Sequence, residues 1–234
     1  MRRNMGVDSP KMEGVEAFLF DLDGTLVDTE MVWARAIARF LCDNGAQAPL
    51  EEVEKIVFGR SWFDIHRDLK ERYPNSKLDT PLADGERLRV YYAEIAADPQ
   101  SLVIGPNVAF LKKVSGIAPC AIVSGSPRDD VMRAVELCGI SGNIRFAMGI
   151  EDYGRGKPAP DGFLAAAKAL GANPAKCVVV EDSTAGVAAG AAAGMKVIAL
   201  DNNKVIKQNL SPAVWKVADL SELDPDAVFG SARG

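Results

Sequence analysis

Four polar clusters in this sequence each follow an apolar stretch typical of a buried strand, or the loop beside one. They contain carboxylates, hydroxyls and a lysine, and they are Asp21 with Asp23, Ser124-Gly125-Ser126, Lys157-Pro158, and Glu181-Asp182. Each cluster alone also fits an ordinary turn, helix cap or surface loop. Because the carboxyl ends of parallel strands share one edge of a sheet, the four clusters together predict a single site.

The residue types in these clusters suit phosphoryl transfer. Asp21 is the predicted nucleophile, which would form an aspartyl-phosphate, and Asp23 is the predicted general acid and base. Lys157 supplies a compact positive charge for a phosphoryl oxygen. Ser124 supplies a hydroxyl and backbone donors where a strand ends.

The charges of the same clusters predict a divalent cation. Asp182, with Glu181 in support, offers the hard oxygen ligands that Mg²⁺ prefers. Four carboxylates gathered around a phosphate would repel it without a metal ion. The predicted cofactor is therefore Mg²⁺.

The elements that must position these clusters alternate between strands and helices, which predicts an α/β fold whose parallel sheet is covered on both faces. The strands are predicted at residues 15–20, 120–123, 145–148, 177–180 and 196–200, with helices at 128–137, 161–170 and 185–193. Residues 29–101 break this alternation. They carry helical patterns over 30–43, 50–57, 62–71 and 84–96, and no convincing strand.

The domain organisation follows from this break in the pattern. No apolar run follows the two arginines near the start, so a signal peptide is not expected there. Residues 1–14 are predicted to form a loose N-terminal tail. Residues 15–28 and 102–234 form the predicted catalytic core, and residues 29–101 form a small all-helical domain inserted after the first strand.

The segment Phe20-Asp21-Leu22-Asp23-Gly24-Thr25-Leu26 resembles the first motif of the haloacid dehalogenase-like superfamily. Ser124, Lys157 and Glu181-Asp182-Ser183 match its second, third and fourth motifs in order, and the match spans nearly the whole chain. The resemblance implies a Rossmann-like, doubly wound core with a helical cap. It also implies that the Asp21 side chain, the Asp23 backbone carbonyl and Asp182 hold the metal.

Further matches place the chain in the branch of β-phosphoglucomutases and sugar-phosphate phosphatases. They are Asp28-Thr29-Glu30 and residues 181–195. Asp23 disfavours dehalogenation, because the true dehalogenases lack this second aspartate. Mutases that resemble this branch carry a histidine at the position of Trp33 and a lysine at the position of Pro127. Both residues help a mutase to handle a doubly phosphorylated intermediate. The loss of both residues favours net hydrolysis.

Three hypotheses about function remain. The first is a phosphatase that acts on a small phosphorylated metabolite, either a sugar phosphate or a sugar-acid phosphate. The alternative is a phosphomutase of the β-phosphoglucomutase type. A catalytically retired binding protein is the third, and the joint presence of Asp21, Asp23, Lys157 and Asp182 argues against it.

The inserted helical domain is expected to choose the substrate. Arg60 is a candidate for gripping a second anionic or hydroxylated group, and Trp62 for stacking on a sugar face. An exposed arginine and an aromatic residue of the cap core are the ordinary alternatives. Gly125 is a further candidate for substrate contact. His66, the only histidine, is interpreted as a surface or packing residue.

Composition bounds the partners and the compartment. A net charge of -5 gives no general attraction to nucleic acid or anionic lipid, and no stretch of the sequence is apolar and long enough to span a membrane. The four cysteines lack the spacing of a metal site, and three lie in apolar segments as buried thiols would. We expect a cytoplasmic protein that is a monomer or a weak homodimer.

Overall fold

A computed structural model describes residues 11–57, 62–96, 98–201 and 207–230. Within them, six strands form one sheet in the order β3-β2-β1-β4-β5-β6, and every neighbouring pair is parallel. The strands are β1 (Ala17–Phe20), β2 (Cys120–Val123), β3 (Phe146–Met148), β4 (Cys177–Glu181), β5 (Lys196–Leu200) and β6 (Trp215–Val217).

The α-helices of the described residues fall into two groups along the chain. The first group lies between β1 and β2 and the second alternates with the later strands. They are α1 (Glu30–Asp43), α2 (Leu50–Val57), α3 (Trp62–Arg72), α4 (Pro81–Ile95), α5 (Gly105–Val114), α6 (Arg128–Leu137), α7 (Asp161–Leu170), α8 (Thr184–Ala192) and α9 (Pro225–Phe229). Among these residues no helix combines the length and apolar character needed to cross a bilayer.

Helices cover both faces of the sheet because the strands are apolar on both sides. Phe18 and Phe20 of β1 belong to a buried cluster with side chains of α5, α6 and α9. Ala17 and Leu19, which point to the opposite face, belong to a second buried cluster with side chains of α7 and α8. The predicted α/β class with a doubly wound parallel sheet is confirmed.

The sheet order places a topological switch point between β1 and β4. The chain leaves β1 toward β2 and β3 on one side, while β4, β5 and β6 lie on the other. Phe20 is in register with both Ile122 and Val180, so the strands end together at this edge. Ligands of open α/β sheets bind at the carboxyl ends of the strands where the order reverses. Asp21 follows β1 directly and Glu181 ends β4.

The described residues divide into two compact units. One contains those up to Val27 and most of those from Val103 onward, and the other runs Asp28–Leu102. The second unit is built from α1 to α4 around its own buried cluster, which includes Ile37, Phe40 and Leu69. Trp33 packs against this cluster, and its ring lies 4.5 Å from that of Tyr92.

Several boundaries and elements differ from the sequence-based expectations. Helix α4 begins at Pro81 rather than at residue 84, because the Thr80 hydroxyl caps it and proline suits the first helical turn. Helices α5 and α9 and strand β6 were not predicted. Met12 is 2% exposed and its N–H donates to the Val228 carbonyl, so it belongs to the packed core and not to a loose tail.

Candidate active site

Asp21 lies at the centre of the site, immediately after β1. Its N–H donates to the Val180 carbonyl at 2.9 Å, which continues the pairing of β1 with β4 past the end of the strand. The residue is 6% exposed, and its Oδ1 accepts a hydrogen bond from the Lys157 ammonium. Burial raises the pKa of Asp21 well above its usual range, and the neighbouring carboxylates add to this against the opposing effect of Lys157.

Lys157 connects the two central strands. Besides Asp21, its Nζ donates to Glu181 Oε1 at 2.7 Å and to the Val123 carbonyl at 3.2 Å. The ring centroid of Phe163 lies 5.2 Å from the same nitrogen. Burial opposes the charged ammonium, but Asp21 and Glu181 outweigh it and raise the pKa of Lys157. The lysine therefore carries a positive charge at neutral pH.

Glu181 is held by donors on both of its oxygens. Oε1 accepts from Lys157, while Oε2 accepts from the N–H groups of Asp182 and Ser183 at 2.8 and 2.9 Å and from the Ser183 hydroxyl at 2.9 Å. Burial alone would raise the pKa of Glu181, but Lys157 and the Ser183 bonds outweigh it and lower that pKa. Gly186 leaves room for this carboxylate, since a Cβ there would lie 1.6 Å from Oε1.

Asp23 is oriented by the turn that follows β2. Its Oδ2 accepts from the Ser126 hydroxyl at 2.7 Å and from the Ser124 hydroxyl at 3.3 Å. The Ser126 N–H donates to Ser124 Oγ at 3.0 Å, which fixes the shape of the turn. Gly125 is exposed between the two serines, and a Cβ on it would meet no described atom within 4 Å. The structure therefore brings Asp23, Ser124 and Ser126 together.

Asp182 lies beside Asp21 and is 1% exposed. Its Oδ1 accepts a hydrogen bond of 3.1 Å from the hydroxyl of Thr25, which is fully buried. The backbone carbonyl of Thr25 in turn accepts from Asn107 Nδ2 at 2.7 Å. These bonds attach the Asp21-Asp23 loop to the end of β4.

The carboxylates at this edge form a donor set that suits a hard cation. Asp21, Glu181 and Asp182 are buried and each offers an oxygen, and the three oxygens lie within 4.8 Å of one another. Such a cluster of buried anions is costly unless a positive charge compensates it, and Lys157 supplies one charge for three carboxylates. Oxygen donors of this kind fit Mg²⁺.

Of the three residues singled out in the helical unit, the structure describes Trp62 and His66. Arg60 lies outside the described residues. The Trp62 indole N–H donates to the Pro81 carbonyl at 2.7 Å, and a Cβ on Gly85 would lie 3.2 Å from the same nitrogen, so this ring is packed within its own unit. His66 is 3% exposed and its Nε2 lies 3.0 Å from Asp84 Oδ2, which agrees with a packing role.

Ser126 and Thr25 were given no role from the sequence, although Ser126 belongs to one of the predicted polar clusters and Thr25 lies close to Asp21 and Asp23. Ser126 belongs to the same Ser-Gly-Ser turn as Ser124, and a turn brings its first and third side chains within reach of one acceptor. Thr25 lies in the Asp21-Asp23 segment, but its bond to Asp182 joins residues 157 positions apart. No local pattern reports such a contact.

Comparison with known proteins places this site in context. A family model described as haloacid dehalogenase-like hydrolase matches residues 15–194, which include all four polar clusters. The 6-phosphogluconate phosphatase of Escherichia coli (strain K12) is 31% identical over 216 residues, which cover 91% of this chain and 94% of that protein. The bifunctional riboflavin kinase/FMN phosphatase of Arabidopsis thaliana is 34% identical over 78% of this chain, which spans only 47% of that longer protein.

A solved structure gives the same picture at the level of the fold. The β-phosphoglucomutase of Clostridium difficile is 25% identical, with a TM-score of 0.73 over 90% of this chain and 93% of its own. The similarity thus extends across both the sheet and the helical insertion. With the family match over residues 15–194 and the relatives above, the chain belongs to the haloacid dehalogenase-like hydrolase family.

Proposed function

We propose that this protein is a Mg²⁺-dependent phosphatase that hydrolyses a small phosphorylated metabolite through an aspartyl-phosphate on Asp21. The observation that carries the proposal is the contact between the buried Asp21 carboxylate and Lys157, with Asp23 two residues away and separately oriented by two serine hydroxyls. A nucleophile, a proton carrier and a fixed cation thereby occur at one edge of the sheet.

In the first step an Asp21 oxygen attacks phosphorus and the bond between phosphorus and the ester oxygen breaks. Asp23, entering in its protonated form, gives its proton to the departing oxygen, so the product leaves as an alcohol. In the second step water attacks the phosphorus of the aspartyl-phosphate and Asp23 takes a proton from that water. The bond to Asp21 breaks, inorganic phosphate leaves, and both aspartates return to their starting states.

Lys157 serves this reaction as a fixed positive charge. Its contacts with Asp21, Glu181 and the Val123 carbonyl hold the ammonium where phosphoryl oxygens would approach Asp21. Charge stabilisation by groups that are already positioned is the main source of rate enhancement in phosphoryl transfer. We assign to Glu181 the positioning of Lys157, since donors already engage both of its oxygens.

The Asp21 side chain, the Asp182 side chain and the Asp23 backbone carbonyl would hold Mg²⁺, with Glu181 adjacent. The ion would neutralise charge on the phosphoryl group and the carboxylates. The buried cluster of Asp21, Glu181 and Asp182 oxygens supports this assignment. Mg²⁺ commonly keeps water and substrate phosphate among its ligands, so few protein oxygens suffice.

Two residues support hydrolysis over mutase chemistry. Trp33 is packed against Tyr92, and its indole cannot act as an imidazole would. Pro127 precedes α6 and has neither an ammonium group nor a backbone N–H to offer a second phosphate. The similarity to a β-phosphoglucomutase keeps the mutase as the alternative. A mutase would isomerise a sugar phosphate without stoichiometric release of inorganic phosphate and would respond to a bisphosphate.

A sugar phosphate or sugar-acid phosphate is the proposed substrate class, supported by the similarity to a 6-phosphogluconate phosphatase. We assign substrate choice to the unit Asp28–Leu102, which inserts after the Asp21-Asp23 loop. Arg60, Trp62 and Gly125 stay predictions for substrate contact. The N–H bond and packing of Trp62 favour a structural role for that residue.

The test is phosphate release from a panel of phosphorylated metabolites with Mg²⁺, comparing the wild type with Asp21→Asn. We expect Asp21→Asn to abolish release, and Asp129→Asn, an exposed carboxylate on α6, to leave it unchanged. Turnover by Asp21→Asn close to that of the wild type would contradict the mechanism. A wild type that releases no phosphate and binds neither Mg²⁺ nor a metal fluoride would point to a catalytically retired binding protein.

A further inference from the structure

Tyr153 links the loop of residues 153–160, which carries Lys157 and is called the lysine loop below, to the turn that carries Ser124. It follows the short 3₁₀-helix Ile150–Asp152 and precedes Lys157 by four residues. Its phenol hydroxyl donates a 2.7 Å hydrogen bond to the Ser124 carbonyl. Ser124 is thereby held at three points, because its N–H donates to the Met148 carbonyl at 3.0 Å and its hydroxyl donates to Asp23.

The bond from Tyr153 forms part of a paired contact. Val123 and Ser124 are consecutive residues at the carboxyl end of β2, and both of their carbonyls accept from the lysine loop. Lys157 Nζ binds the first at 3.2 Å and the Tyr153 hydroxyl binds the second. Two neighbouring hydrogen bonds therefore join the end of β2 to the loop that carries Lys157.

The ring of Tyr153 has little freedom to leave this position. Gly162, in the first turn of α7, faces it so closely that an added Cβ would lie 3.1 Å from the ring carbon Cζ and 2.9 Å from Val123 Cγ1. Burial is the main cause that raises the pKa of Tyr153, so the phenol keeps its proton and remains a donor at neutral pH. The hydroxyl is thus a fixed donor.

We propose that Tyr153 is a positioning residue for the proton-transfer step, acting through Ser124 on the Asp23 carboxylate. The inference rests on the proposed function, in which Asp23 protonates the leaving oxygen. Without the phenol hydroxyl, the turn from Ser124 to Ser126 loses its anchor at the carbonyl of Ser124. The two serine hydroxyls then hold Asp23 less accurately, while Asp21 and Lys157 keep their contacts.

The test compares two aryl phosphates of similar size, phenyl phosphate and 4-nitrophenyl phosphate, in the variant Tyr153→Phe. Phenolate is the poorer leaving group, so its departure depends more on a proton from Asp23. We expect kcat/KM for phenyl phosphate to fall about tenfold, as for the loss of one well-placed hydrogen bond. For 4-nitrophenyl phosphate we expect a fall of less than about twofold.

Two further variants calibrate this result. Ser126→Ala removes a hydroxyl that touches Asp23 directly and should show the same selectivity between the two substrates. Tyr73→Phe removes a phenol hydroxyl from the helical unit and should change neither value. Equal losses on both substrates, or no loss on either, would overturn the inference. A wild type that releases phosphate from no member of the metabolite panel would instead overturn the proposed function on which the inference rests.

Discussion

The ammonium of Lys157 lies 2.7 Å from Oε1 of Glu181, and Ser183 and the backbone hold the other oxygen of that glutamate. Lys157 lies in the loop before α7, and Glu181, 24 positions further along the chain, is the last residue of β4. Their side chains are 13% and 1% exposed, so water does little to weaken the pair. The Lys157 ammonium is therefore held in position by the Glu181 carboxylate, which is itself held by Ser183 and the backbone.

Replacing this lysine should cost both stability and activity. Lys157→Met leaves Asp21 and Glu181 without their buried partner, and removal of one member of such a pair typically costs about 3–5 kcal/mol. We expect a loss of that order in the free energy of urea unfolding, measured in EDTA so that no divalent ion compensates. Phosphate release should also disappear.

The matched control is Lys176→Met, which breaks the pair of Lys176 with Glu16. The side chains of that pair are 55% and 37% exposed. Exposed pairs contribute about 0–1 kcal/mol, so Lys176→Met should scarcely change the unfolding free energy. Similar losses in the two variants would show that burial does not strengthen the site pair.

Gly186 should be needed for the contact between Lys157 and Glu181. It lies inside α8, where alanine would ordinarily stabilise a helix by about 1 kcal/mol relative to glycine. Here a Cβ would lie 1.6 Å from Glu181 Oε1, so the carboxylate must move away from Lys157. We expect Gly186→Ala to reverse the usual sign, destabilise the protein by about 1–3 kcal/mol and reduce kcat at least about tenfold.

Gly105→Ala is the control for this variant. Gly105 begins α5, and a Cβ there meets no described atom within 4 Å. Thermal unfolding should show little change or a slight gain for Gly105→Ala. A Gly186→Ala variant that behaves in the same way would contradict the role given to the space beside Glu181.

The fold was largely predictable because each central strand is a continuous apolar run between polar residues. Strands β2 and β5 occupy the residues predicted for them, as do helices α6 and α7. Strand β6 was not predicted, since the exposed Lys216 in its centre interrupts the continuous apolar run that marks the other strands. Helix α5 was missed because its first two residues, Gly105-Pro106, are typical of a turn, although proline also suits the first turn of a helix.

The candidate site was predictable only in part. Each polar cluster could be recognised because it follows a strand, and parallel strands bring such positions together. What the sequence did not show is the packing between clusters. The position of Gly186 beside Glu181 and the bond from Tyr153 to Ser124 join separate segments, and they depend on side-chain directions that no spacing rule reports.

Asn107 should stabilise the segment that follows the Asp21-Asp23 loop. It is 2% exposed, its Nδ2 donates to the Thr25 carbonyl at 2.7 Å, and its Oδ1 accepts from the Leu220 N–H at 2.9 Å. Asn107→Ala leaves both backbone groups buried without this partner, and each such group costs about 1–3 kcal/mol. We expect a loss of about 2–4 kcal/mol in unfolding free energy.

Asn143→Ala offers the comparison for Asn107→Ala, because the Asn143 side chain donates one part-buried bond, to the Ser115 hydroxyl. That variant should lose about 1 kcal/mol or less. Equal effects in the two variants would contradict the role of Asn107 as a buried bridge. Guanidinium unfolding curves of both, at one pH, provide the measurement.

In the native protein, one of the four cysteine thiols should react rapidly with a thiol reagent and the other three slowly. Cys42 is exposed, whereas Cys120, Cys138 and Cys177 are buried, and all four are free. Burial raises the pKa of Cys120 to about 12 and those of Cys138 and Cys177 to about 11. At pH 8 only about one Cys120 side chain in 10⁴ is therefore ionised, and the thiolate is the species that reacts.

We expect one equivalent of thiol to react rapidly with a chromogenic disulfide in the native protein, and the other three to react only after denaturation. A native Cys42→Ser variant that still shows a rapid equivalent would contradict this assignment.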